Sequence, residues 1–251
     1  MNSVPLYRNL CTEFFDLDKP TAPYEEYNFY LNYIQNTTGP ILEPMCGTGR
    51  YLIPLCEAGY DVHGFDASEF MLNALYPKCA VKNIKPRVWQ QFLQDLDIPE
   101  RYNFIFITDS SFSLILEPTV IMTCLQRIYD HLNPGGILVF DVETVHAIPV
   151  TTGTWLGKVH TRPDGSYIIL NTLPLPIKNQ IETVVCRYEL IDGVNIIKTE
   201  MEYFQLRLYQ MGELDAALKA VGFSQVRCVK SYNSNLSPDE GDFTITYECI
   251  K

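Results

Sequence analysis

The chain has 251 residues, 47% of them hydrophobic and 20% charged, with a formal net charge of -11 and a sequence pI near 4.8. That length can bury a sizeable core, and an α/β chain of this size is often one domain. The acidity repels a phosphate backbone and no run of Lys and Arg offsets it, so the expected partner is a small molecule and not a nucleic acid. No stretch approaches the roughly 18 apolar residues of a membrane span, so no membrane partner is expected. Met1 to Arg8 lacks the basic-then-apolar order of a secretory signal. Eight scattered cysteines, none at Cys-x-x-Cys spacing, fit reduced thiols in a cytoplasmic protein and argue against a zinc site or a disulfide framework.

In chain order, Tyr27, Tyr30, Leu31 and Ile34 recur at helical spacing and predict a helix starting near Thr21. Tyr7 and Tyr24 lie in the less regular part and are candidates to face a substrate, where an aromatic face would suit a cationic centre. Gly39-Pro40 ends the helix, and Ile41-Leu42 closes a buried strand. Glu43-Pro-Met-Cys46-Gly47-Thr48-Gly49-Arg50 then reads as a turn brought against a ligand, followed by a helix over Tyr51 to Ala58. Glycine is needed there because a Cβ would block both the backbone angles and the approach of main-chain N–H groups to a bound molecule. Asp66 ends the next apolar run about twenty residues on, where a carboxylate can accept from both hydroxyls of a ribose.

Ser68 predicts the N-cap of a helix through Met71, Leu72 and Leu75, ended by Pro77. Pro86 to Gln90 is a short third strand with Gln91 and Phe92 at its carboxyl end. Asn103 to Ile107 is the clearest buried strand and runs directly into Thr108-Asp109. A helix over Thr119 to Leu132 and a turn at Asn133-Pro-Gly-Gly136 lead into a fifth strand, Ile137 to Val142. This alternation predicts a parallel sheet with helices on both faces.

After Pro149 the pattern becomes antiparallel: Tyr167 to Leu173, Ile181 to Ile191 and Val194 to Leu208 alternate as hairpin strands. A helix over Gly212 to Val221 and strands at Gln225 to Val229 and Phe243 to Ile250 complete the chain. The expected organisation is one domain: a helical cap over 1–38, a binding core over 39–148, an antiparallel insertion over 149–209 as a substrate cap near the carboxyl ends of the sheet, and 210–251 completing the sheet. The hairpin sheet also offers a surface on which two copies could pair as a homodimer.

Residues 41 to 71, from Ile41 through the glycine loop to Asp66-Ala67-Ser-Glu-Phe-Met71, resemble the class I S-adenosylmethionine-dependent methyltransferases. Asn133-Pro-Gly-Gly136 and Ala220-Val-Gly-Phe223 extend the resemblance loosely to most of the chain, and the antiparallel insertion resembles that of small-molecule methyltransferases. The resemblance implies a Rossmann-like, doubly wound, mostly parallel seven-stranded sheet and transfer of a methyl group from S-adenosylmethionine to a nitrogen or oxygen of a small-molecule acceptor. It implies that Glu43 meets the methionine portion of the cofactor and that Cys46, Gly47, Thr48, Gly49 and Arg50 pass beneath it. Asp66 would hold the ribose, Ala67 and Met71 would border the adenine, and Thr108 and Asp109 would lie near the transferring methyl. Gln91 and Phe92 stand where the family often has an Asp for the adenine amino group; the Gln91 amide oxygen can still accept, and Asp95 is the rival. A base is needed only if the acceptor arrives protonated, and His146 is the first candidate, with Glu143 and Asp109 next. Two other readings compete. One is a non-catalytic protein that binds the cofactor and uses its hairpin sheet as an oligomerisation or partner surface. The other, an NAD-dependent oxidoreductase, is opposed by Leu52, which stands where the dinucleotide fingerprint has its third glycine.

Overall fold

The computed structural model describes residues 7–149 and 151–251. In chain order the elements are α1 (Asn9–Asp18), α2 (Tyr24–Gln35), β1 (Ile41–Pro44), α3 (Leu52–Glu57), β2 (Val62–Asp66), α4 (Glu69–Val81), β3 (Val88–Gln90), β4 (Tyr102–Ile107), α5 (Pro118–His131) and β5 (Leu132–Glu143). Four strands of the insertion follow, β6 (Leu156–Thr161), β7 (Tyr167–Pro174), β8 (Ile181–Asp192) and β9 (Asn195–Arg207), and then α6 (Asp215–Val221), β10 (Gln225–Lys230) and β11 (Thr244–Ile250).

The main sheet has seven strands in the order β10-β11-β5-β4-β1-β2-β3. Pairs among β1 to β5 are parallel, whereas β11 runs antiparallel between β5 and β10. Alternation along β4 divides the core: Phe104 and Phe106 face α2, α3 and α4, and Ile105 and Ile107 face α5 and α6. Strand order reverses between β1 and β4, and an open α/β sheet leaves a crevice at such a switch point. The insertion leaves the sheet beyond Glu143 and returns at Tyr209, whose N–H donates to the Glu143 carbonyl (2.8 Å). Its strands form a second sheet, β6-β7-β8-β9, and α1 packs on it through Leu10, Cys11 and Phe14 against Ile168, Cys186 and Tyr188.

Several expectations change. Helix α1 was not anticipated because its own N-cap residue, Arg8, makes no side-chain cap. The orphan N–H groups at its start are satisfied from β9 instead: Glu202 accepts from Tyr7 N (3.0 Å) and Arg8 N (2.8 Å), and Glu200 accepts from Leu10 N (2.8 Å). Helix α4 does not stop at Pro77 but runs four residues further. Proline removes one helical N–H, yet Leu72, Leu75 and Cys79 keep one face buried across it. Asn133 to Gly136 forms an irregularity inside β5, between the pairings Tyr102–Leu132 and Phe104–Ile137. Strand β6 escaped notice because it is a largely exposed edge with Gly157 and Lys158 in its middle.

Gly64 shows how α3 approaches the sheet. A Cβ there would lie 2.5 Å from Leu52 Cδ1 and 3.0 Å from Cys46 Sγ, so the room that a third loop glycine gives dinucleotide-binding folds is supplied from β2. Gly64→Ala should therefore destabilise the protein by about 1–3 kcal/mol through overpacking. Urea unfolding checks this as a lower midpoint at unchanged slope.

Candidate active site

The loop after β1 carries two glycines that its geometry requires. Gly47 and Gly49 have φ of 53° and 83°, and a Cβ on Gly49 would meet Ile53 at 2.9 Å and Leu75 at 3.0 Å. The Gly47 N–H donates to Asp66 Oδ2 (2.9 Å), while Asp66 Oδ1 accepts from Ser68 N (2.8 Å). Ser68 then caps α4, its Oγ accepting from Met71 N (3.3 Å).

These loops line a cavity of about 440 Å³ at the switch point. Glu43, Cys46, Gly47, Thr48 and Arg50 form one wall, Asp66, Ala67 and Met71 the next, Gln91 and Phe92 a third, and Thr108 and Asp109 the end toward β5. Of the expected cofactor residues only Gly49 is not on the lining. It turns the loop from behind, against Ile53. Asp95, the rival to Gln91, is exposed and outside the cavity. Gln91 is partly committed already, its amide oxygen accepting from Trp89 Nε1 (2.6 Å) and its nitrogen donating to the Asp95 carbonyl (2.7 Å).

Electrostatics separate the acids. Glu43 is buried, its Oε2 has no hydrogen-bond partner, and burial pushes its pKa well above the usual carboxylate range, with Arg50 pulling the other way. Burial also raises Asp66, against the lowering effect of its backbone donors. Arg50 pairs with Asp109 (3.2 Å), and its guanidinium lies 5.5 Å from the Phe15 ring and 5.3 Å from the Tyr51 ring. Lys19 completes the Asp109 pair from beyond α1 (3.2 Å).

A second cavity, of about 400 Å³, adjoins the first and shares Tyr7, Phe15, Asp109, Ser111 and Leu114 with it. Glu143 lines it, and burial pushes Glu143 up to about 7. The other sequence candidates divide. Tyr7 walls both cavities, whereas Tyr24 is 82% exposed at the start of α2 and touches neither. His146 is exposed in the turn after β5 and lies on neither lining, because the chain bends away at Thr144 to pair with Tyr209. The structure thus brings Glu143 and Tyr7 to the site and leaves His146 and Tyr24 outside it.

Residues 41–136 match the family model described as a methyltransferase domain. A solved S-adenosylmethionine-dependent methyltransferase from Clostridium acetobutylicum superposes with a TM-score of 0.79 at 19% identity, over 98% of this chain and 99% of that one. Over residues 41–136 the chain thus carries a methyltransferase domain, and its fold is that of solved S-adenosylmethionine-dependent methyltransferases. The sugar N-methyltransferase KedS8 from Streptoalloteichus sp. shares the fold at a TM-score of 0.77 and 17% identity, over 100% of this chain and 98% of that one. Among curated relatives, a protein of Geobacillus sp. (strain WCH70) with a provisional methyltransferase name is 28% identical over 130 residues, 50% of this chain and 53% of its own. Glycine/sarcosine N-methyltransferase of Halorhodospira halochloris is 27% identical over 135 residues, 53% of this chain and 50% of its own. The chain thus spans about half the length of the curated relatives it matches.

Asp141 is a residue beside the site, holding its loop, that sequence reasoning missed. It is fully buried in β5 and accepts from Ser110 N (2.5 Å), Ser110 Oγ (3.2 Å) and the Tyr30 hydroxyl. Those bonds hold Asp109 and Ser110 in consecutive left-handed conformations, φ 56° and 53°, each costing of order 1–3 kcal/mol. The signal was present: a lone acid in the apolar run Ile137-Leu-Val-Phe-Asp141-Val142. Burial pushes Asp141 up to about 6. Its folded form keeps the proton to a higher pH than the unfolded chain does, so its contribution is fully present below about pH 4 and is lost as pH rises through about 6. The stability of the native protein relative to Asp141→Asn should fall between pH 4 and 6.5 and level off above that. Denaturation across that range checks it, and a difference independent of pH would contradict it.

Proposed function

We propose that this methyltransferase moves a methyl group from S-adenosylmethionine in the first cavity to a nitrogen or oxygen of a small-molecule acceptor in the second. The observation that carries the reading is the meeting of two cavities at Asp109, one walled by the glycine loop between Glu43 and Asp66, the other by aromatic and acidic residues. The unpartnered Oε2 of Glu43 fits the cofactor, because a buried lone oxygen calls for a donor such as the amino group of the methionine portion. Asp66 retains lone pairs for ribose hydroxyls beside its two backbone donors. Ala67 and Met71 give an apolar slot for a flat ring.

When bound, S-adenosylmethionine supplies a methyl group on a cationic sulfur, an electrophile that needs orientation more than activation. The residues' part is to align the acceptor and, where it arrives protonated, to remove the proton. Glu143 suits that task better than His146, since it lines the acceptor cavity and a carboxyl near 7 is half ionised around neutral pH. The names of similar proteins, a sugar N-methyltransferase and a glycine/sarcosine N-methyltransferase, support a small acceptor. The net charge of -11 favours such an acceptor over a polyanion. Eight free cysteines support a reducing, cytoplasmic setting, and the exposed Ile196, Ile197 and Tyr203 of β9 support pairing of two copies.

A screen of acceptors with labelled cofactor tests the reading: labelled product and S-adenosylhomocysteine should appear in equal amounts. Stabilisation by NAD but not by S-adenosylmethionine would overturn it. Asp66→Ala should weaken S-adenosylhomocysteine binding about tenfold or more, a loss of about 1.4 kcal/mol. Calorimetry measures this, with an unchanged circular dichroism spectrum as the control for folding.

A further inference from the structure

We propose that the second cavity receives its acceptor as an ammonium ion and that Glu143 takes the proton from it, so that the methylated atom is an amine nitrogen. The inference rests on the methyl-transfer reading above and narrows it to one class of acceptor.

Charge within the second cavity is unbalanced. Glu26, Asp109 and Glu143 line it against one cation, Lys19. Asp109 is already paired with Lys19 and Arg50, and Glu26 accepts from the Tyr51 hydroxyl (2.6 Å). Among the described residues the Glu143 carboxylate has neither a hydrogen bond nor an ion pair, although the residue is half-buried. A part-buried carboxylate left without a partner is destabilising, and a cation entering the cavity removes that penalty.

The walls suit the same ligand. Tyr7, Phe15, Phe204 and Tyr232 line the cavity with aromatic rings, whose faces attract cations. Phe15 already serves in this way on its other contacts, with the Lys19 ammonium 5.6 Å and the Arg50 guanidinium 5.5 Å from its ring centre. Because Phe15 and Asp109 belong to both cavities, a molecule held against Glu143 lies next to the cofactor side.

Proton affinities decide between amine and alcohol. Glu143 faces Glu182 from β8, Asp109 from the loop after β4, Asp141 from its own strand and Lys19 from beyond α1, with Glu26, Tyr7 and Tyr232 also on the wall or close by. Burial first, and then the like charges of Glu182 and Asp109, push it up to about 7, while Lys19 lowers it. An alkylammonium resembling that of lysine lies only about three pK units above that value, and a hydroxyl resembling water about nine. Glu143 is therefore strong enough to free an amine or a phenol and far too weak to free an alcohol, and the acidic, aromatic walls favour the cationic amine over the neutral phenol. In the step itself the ammonium proton passes to the Glu143 carboxylate. The lone pair so freed forms the bond to the methyl carbon, and the electron pair of the broken carbon–sulfur bond stays on sulfur and neutralises it.

Binding to the protein loaded with S-adenosylhomocysteine tests this, with benzylamine as the probe and benzyl alcohol and p-cresol as neutral counterparts. Calorimetry should give benzylamine an affinity at least tenfold above either neutral compound, rising from pH 6 to pH 8 as Glu143 ionises. Glu143→Gln should remove both the preference and the pH rise while keeping S-adenosylhomocysteine affinity, which also shows that the variant is folded. Neutral compounds binding as tightly as the amine, no binding of the amine, or an amine profile unchanged in Glu143→Gln would each overturn the proposal. A failure of S-adenosylhomocysteine itself to bind the unaltered protein would instead overturn the reading on which the proposal rests, and it is read separately.

Discussion

The Asp66 carboxylate lies half-buried at the end of β2 with two backbone N–H groups directed at it, and these come from different parts of the chain. One belongs to Gly47 in the loop after β1 and the other to Ser68 at the start of α4. Hydrogen bonds to a charged group contribute about 1.5–3 kcal/mol each, enough to offset much of the burial and to fix both loops relative to each other. Ser68 extends the constraint, since its hydroxyl accepts from Met71 N and donates to the Tyr7 carbonyl (2.8 Å). A single acid thereby registers β1, β2, α4 and the segment leading into α1. The cofactor cavity takes its shape from that register.

Five acids stand along the carboxyl edge of the main sheet, and their surroundings give each a different character. Glu43 has a bare oxygen, Asp66 has backbone donors, Asp109 has two cations, Asp141 has hydroxyls and a strained turn, and Glu143 has like charges and one lysine. The same carboxyl group, set at different places along one sheet edge, is in turn bare, bonded to backbone donors, ion-paired, bonded to hydroxyls, and left among like charges. Burial raises Glu43, Asp66, Asp141 and Glu143 alike, so it is the partners that separate their tasks.

The parallel sheet and the cofactor loop were legible because their signals are local. Ile105 alternating with Phe104 and Phe106, or Gly47 and Gly49 flanking Thr48, can be read in a short window. Helix α1 was not legible, because Glu200 and Glu202 do the capping that a neighbouring Ser or Asp would ordinarily announce. His146 was misplaced for a related reason: its distance along the chain from β5 is short, but the bridge between Thr144 and Tyr209 turns it outward. Glu143, three residues earlier, stays with the cavity. Asp141 was readable in principle as an acid in an apolar strand, but its role as the clamp of the Asp109-Ser110 turn depends on a neighbouring strand's loop.

The remote caps of α1 also order events during synthesis. Tyr7 and Glu202 are 195 residues apart, so α1 cannot acquire its carboxylate partners until β9 has left the ribosome. By then the strands and loops that hold Glu43, Asp66 and Asp109 have all been made. The front wall of the cleft, with Tyr7 and Phe15, is anchored only after those parts are made. A truncated chain ending before residue 200 would retain the glycine loop and the switch point but would lack the anchorage that closes over them.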